Sequence, residues 1–131
     1  MPSYYEALPI YRAAMDCAVG VDAAVQRFPK GHKYTLGARL RNIAADIVLG
    51  VARAIRREGR AQALAALTDR IEDLKLLLTL AKEVKAFSSF NGYARVVNQV
   101  VGLARQAEAW RRSVVAKSGP EPARPSPKGA P

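Results

Sequence analysis

From Leu64 to Ala81 the apolar residues recur at intervals of three and four without a break: Leu64, Leu67, Ile71, Leu74, Leu78 and Ala81. No other feature of the chain constrains its fold so tightly. On a strand this spacing would scatter the side chains over both faces, whereas on a helix it aligns them in one stripe. Asp69, Glu72, Asp73, Lys75 and Lys82 fill much of the opposite face. The spacing predicts a helix over about 60–87 with one face turned to a core.

Three further segments carry the same signature. Ile10, Ala14, Cys17, Val21, Ala24 and Phe28 predict a helix over about 5–28, its regular part starting near Pro9 and stopped by Pro29 and Gly31. Leu36, Leu40, Ile43, Ile47, Val51 and Ala54 predict a helix over about 33–57, broken by Gly59. Gly37 and Gly50 lie inside it, where glycine costs up to about 1 kcal/mol relative to alanine, and a close approach by another helix is the expected compensation. Tyr93, Val97, Val100, Ala104 and Ala107 predict a fourth helix over about 91–115, opened by the turn chemistry of Ser88, Ser89, Asn91 and Gly92.

No segment alternates as a strand does, so the expected class is all-α. The connections are only a few residues long, which makes sequential helices antiparallel neighbours in an up-down four-helix bundle. Residues 1–116 form that bundle. Residues 117–131 read as a disordered tail, because Ser118 to Pro131 hold five prolines and two glycines. A length of 131 residues suits one domain, and half of the residues are apolar, enough for a real core.

The bundle has more apolar surface than it needs. Leu76, Leu77 and Leu80 on the third helix, and Val96, Val101, Leu103 and Trp110 on the fourth, lie partly off the stripes. A bundle helix needs about three apolar positions in seven. The surplus points to self-association, with Leu76, Leu80, Val96, Leu103 and Trp110 as the expected contact face.

Catalytic and metal chemistry find no foothold. His32 is the only histidine, in a connection beside Lys30 and Lys33, and Cys17 is the only cysteine, on an apolar face with Ala14, Ala18 and Val21. Neither supports a zinc site or a nucleophile-base pair, and Cys17 reads as a buried free thiol. There is no glycine-rich phosphate loop. The expectation is a protein without catalysis, cofactor or metal. No apolar run reaches membrane-spanning length and the start is not laid out as a secretory signal, so a cytoplasmic protein is expected.

The charge is more informative. The chain carries 21 Lys and Arg against 11 Asp and Glu, a net charge of +10. Residues from Lys117 onward hold three basic side chains and one acidic, so the body keeps +8. Such a surface attracts polyanions. Arginine outnumbers lysine by 14 to 7, and a guanidinium binds phosphate bidentately and stacks on bases. Lys30, Lys33, Arg39 and Arg41 at the start of the second helix, and Arg53, Arg56, Arg57 and Arg60 at its end, are the candidate nucleic-acid contacts. Tyr34 offers a stacking ring beside Lys33, and Arg105, Arg111 and Arg112 add charge late in the fourth helix.

The segment Phe28 to Val48, FPKGHKYTLGARLRNIAADIV, is more specific than its charge. Phe28, Pro29, Lys30, Tyr34, Leu36, Gly37, Leu40, Ala44 and Ile47 resemble the first-connection signature of the four-helix-bundle family that contains the accessory variability determinant of diversity-generating retroelements. A related branch is the ribosomal-RNA intervening-sequence protein family. Asp73 to Ser88 resembles the family's leucine-rich third helix, and Trp110 with Arg111 resembles its tryptophan-basic ending. Asn42-Ile43-Ala44-Ala45-Asp46 stands where the intervening-sequence branch has Asn-Ile-Ala-Glu-Gly, so the retroelement branch fits better. The resemblance spans roughly residues 5–113. It implies a homopentameric barrel with a basic surface that binds reverse transcriptase and its template RNA and supports mutagenic cDNA synthesis without catalysing it. DNA is the other polyanion such a surface could hold. The intervening-sequence branch implies a different role, a structural or protein-interaction module that binds no nucleic acid.

Overall fold

The structure, a computed structural model, describes residues 8–56 and 58–117. Five helices pack together and no strand occurs among the described residues: α1 (Pro9–Gln26), α2 (Lys30–Lys33), α3 (Leu36–Ile55), α4 (Arg60–Glu83) and α5 (Phe90–Lys117). Helix α1 packs on α3 and α5, α4 packs on the same two helices, and the short α2 rests on α3. The protein is all-α. The expected tail from Ser118, the residues before Leu8, where the first helix was expected to begin, and Arg57 lie outside the described residues.

The elements start and stop for local reasons. Pro9 opens α1, where its missing N–H would have no intrahelical partner. The N–H of Arg27 turns back to Ala24 O at 3.0 Å and that of Phe28 to Val25 O at 2.9 Å, and Pro29 ends the ladder. The helix expected from residue 33 is in fact two pieces. Lys30–Lys33 makes one turn of α2, and the Thr35 hydroxyl donates to the carbonyls of Gly31 and His32 before α3 begins at Leu36. Gly59 takes a left-handed φ of 67° and opens α4. At the start of α5 the Ser89 hydroxyl accepts the N–H of Gly92 at 3.0 Å, an N-cap bond.

Helix α4 stops at Glu83, four residues short of the expected end. The N–H of Ala86 reaches Ala81 O at 2.8 Å and that of Lys85 reaches Lys82 O at 2.9 Å, while Lys85 adopts a φ of 63°. This pair of bonds is a Schellman motif, with lysine in the position glycine usually fills. Helix α5 runs two residues past its expected end and takes in Lys117, which the composition had assigned to the tail.

The core follows the α4 stripe completely: Leu64, Leu67, Ile71, Leu74, Leu78 and Ala81 are all buried. On α1, Val25 replaces Ala24 as the buried residue. On α3, Gly37 and Ala44 are buried where Leu36 and Ile43 were expected to be, and those two pack at its edge. On α5 the buried set is Val96, Val100, Leu103 and Ala107, a stripe turned away from the expected one. Val96 and Leu103 are 2% and 0% exposed, which corrects their assignment to a contact face between copies. They face the core against α1 and α4 because α5 is apolar on two adjoining stripes and only one fits there. Trp110 is also spoken for, half-buried against the core.

Cys17 is buried, and burial together with the charge of Asp16 pushes its thiol from 9.0 to about 11. No polar or charged residue is buried among the described residues. No helix among them is long and apolar enough to cross a membrane.

Candidate nucleic-acid interface

Ring contacts tie the 27–35 connection to the 84–89 connection. Phe28 meets Phe87 edge to face at 5.1 Å, and Phe87 meets Tyr93 in the same way at 5.4 Å. Two basic stretches far apart in the chain therefore share one end of the molecule. Arg27, Lys30 and Lys33 come from the first, and Lys82, Lys85 and Arg95 from the second. The acidic groups nearby are already engaged. Glu83 lies 3.5 Å from Lys82, and Asp22 is 2.8 Å from Arg41 and accepts a bond from Gln26. No ion pair holds Arg27, Lys30, Lys33, Lys85 or Arg95 among the described residues. Two aromatic rings stand in solvent at this end: Phe90 is 69% exposed and Tyr34 67%, with Lys33 Nζ 5.9 Å from the Tyr34 centroid. Unpaired cations next to exposed rings can hold phosphates and stack bases.

The eight predicted contacts do not form one site. Lys30 and Lys33 belong to the end just described. Arg39 follows one turn into α3, exposed on a groove of about 460 Å³ shared with Asn42, Arg70, Asp73 and Leu77. Arg53 and Arg56 are exposed at the other end of α3. That helix has 20 residues, about 30 Å at 1.5 Å per residue. Arg53 lines a second recess with Asp46, Gly50 and Arg70. Arg57 lies outside the described residues.

Two of the eight are committed inside the protein. Arg41 is half-buried, with its Nε 2.8 Å from Asp22 Oδ1, and ties α3 to α1. Arg60 donates from Nε to Ala54 O at 2.7 Å and from Nη2 to Ile55 O at 2.6 Å. It thereby satisfies carbonyls at the C-terminus of α3 that have no intrahelical partner. These bonds explain why the sequence places arginine there, and they correct its reading as a phosphate contact. Arg111 and Arg112 are likewise occupied: Arg111 forks onto Glu108 at 3.1 and 2.6 Å, and Arg112 lies 4.0 Å away. The Arg111 bonds hold the Glu108 carboxyl below its usual range.

Sequence reasoning missed Arg27, Lys82, Lys85, Arg95 and Phe90. A signal for them existed. If helices alternate in direction, the first and third connections meet at one end, and basic residues flank both.

Leu76 and Leu80 of the expected contact face are 70% and 46% exposed, on the outer side of α4. No cluster of three or more potential metal ligands forms among the described residues. No family model matches the chain, and no curated protein matches it.

Proposed function

We propose that this chain is a non-catalytic RNA-binding accessory protein that works beside a reverse transcriptase, as the resemblance of Phe28 to Val48 to the retroelement family implies. The observation that carries the reading is the basic end, where Arg27, Lys30, Lys33, Lys85 and Arg95 converge without carboxylate partners. In this reading the four long helices run up and down in one bundle. Five copies close into a ring in the cytoplasm, the exposed Leu76 and Leu80 supplying apolar contact between copies. The protein grips phosphates and positions RNA for an enzyme that performs the chemistry.

Filter binding of a structured RNA across a salt series tests this. Affinity should fall steeply with added salt, because each phosphate neutralised releases counterions. Reversing the charge at Lys30, Lys33 and Arg27 together should weaken binding without changing the helical signal in circular dichroism. Absence of RNA binding at low salt, with or without the polymerase, overturns the reading. A second reading, a protein-interaction module with no nucleic-acid role, draws on the exposed leucines of α4, and the same absence of binding would favour it.

A further inference from the structure

The end of α1 and the first turns of α5 enclose a cleft of about 350 Å³. Arg27 lines it from just past α1, Asn91 and Arg95 from α5, and Ser88 and Ser89 from the connection that precedes α5, with no carboxylate on its walls. Its floor is the Gly20 backbone, with the amide of Gln99 lying against it so closely that a Cβ at residue 20 would collide with it. Gln99 Oε1 is buried there without a hydrogen-bond partner. The cleft also opens beside the start of a 28-residue helix, whose dipole favours an anion. The Ser88 and Ser89 hydroxyls, the Asn91 side-chain N–H and two unpaired guanidinium groups around such an end are donors suited to one phosphate.

On the other flank of the same first turn stands Phe90, exposed and tilted on Tyr93 at 5.8 Å. Lys82 Nζ is 5.3 Å from the Tyr93 centroid, and Lys85 lies in the connection that leads to this turn.

We infer that a single-stranded RNA segment crosses this end, with one backbone phosphate in the cleft between Arg27 and Arg95 and the next unpaired base stacked on Phe90. The inference rests on the RNA reading above and specifies it. A duplex hides its base faces, so only an unpaired segment can use an exposed ring, while cations at the same end hold the backbone that continues past it. The unpaired loops of a structured RNA offer such segments.

Fluorescence anisotropy of a labelled oligouridine, against a duplex RNA of equal length, tests this on the full chain. Phe90→Ala should weaken oligouridine binding by about tenfold and leave duplex binding unchanged, and Phe90→Tyr should retain binding. Arg27→Gln with Arg95→Gln should make the salt dependence shallower by about 0.7 in log–log slope, the share of one single-strand phosphate. Phe90 is exposed, so a folding defect is not expected, and circular dichroism checks this. If Phe90→Ala binds oligouridine as the parent does, or if only Arg53→Gln with Arg56→Gln weakens it, the inference fails while the RNA reading stands. If neither RNA binds at low salt, both fail.

Discussion

The guanidinium of Arg60 lies over the indole of Trp110, 5.6 Å from the ring centroid, while its nitrogens close the end of α3. One side chain thus joins three helices: it starts α4, caps α3 and covers α5. Arg60→Ala should cost about 2 kcal/mol in urea denaturation, since it removes charge-assisted hydrogen bonds and uncovers carbonyls. Arg60→Lys should recover less than half of that, because an ammonium cannot reproduce the planar fork. RNA affinity should stay near that of the parent. A stable variant that loses RNA would return Arg60 to the phosphate contacts.

Two glycines in helices should respond with opposite sign. A Cβ on Gly37 would lie 2.6 Å from Val25 Cγ1 and 3.3 Å from His32 O. Val25 is fully buried and has little room to move. Gly37→Ala should therefore destabilise by about 1–3 kcal/mol through overpacking. Gly102 has nothing within 4 Å of that position, so Gly102→Ala should stabilise by about 0.5–1 kcal/mol through helix propensity. Thermal melts of the two variants would check both signs.

Cys17 makes stability depend on alkaline pH. Folding keeps its thiol neutral up to about 11, against 9.0 for an ordinary thiol. Below pH 9 both states are protonated and the contribution is complete. Between 9 and 11 the unfolded chain ionises first and the folded state loses this advantage. Urea midpoints across this window should fall more for the parent than for Cys17→Ala, a difference that isolates the thiol from other alkaline groups. A thiol reagent at pH 8 should label the native protein slowly and the unfolded chain fast.

Leu76 should separate assembly from folding. At 70% exposure, Leu76→Asp should change monomer stability by less than about 0.5 kcal/mol. Leu74→Asp, two residues away in the core, should prevent folding. Under the ring proposal the Leu76→Asp variant with Leu80→Asp should be smaller by light scattering than the parent. An unchanged particle would remove this face from the assembly.

The parts of the fold legible in the sequence were those with a single consistent stripe. Helix α4 is one: its buried residues are those its spacing picks out. Helix α5 carries Val96, Val97, Val100, Val101, Leu103 and Ala104 around much of its girth. Spacing alone could not choose between adjoining stripes, and the neighbours α1 and α4 decided it. The stop of α4 was hidden for another reason. Lysine at position 85 adopts a backbone conformation associated with glycine, so no residue type announced the break. At the candidate site, sequence order grouped the arginines of α3 that the helix keeps apart, and it separated Arg27 from Arg95, which line one cleft. Arg60 looked like part of a basic cluster because its carbonyl partners are backbone atoms, which leave no mark in the sequence.

The length of α3 sets a scale for whatever the protein holds. Its basic residues Arg39 and Arg53 lie near its two ends, about 21 Å apart along the axis, close to the rise of six nucleotide steps in a B-form duplex at about 3.4 Å each. A shorter polyanion can occupy one end only and gains nothing from the other. A longer one can reach both, and the second contact then forms at the high effective concentration of a tethered ligand. Under the proposed function, the rigid helix between Arg39 and Arg53 would in this way act as a ruler, favouring long nucleic acids over fragments with no reading of their bases.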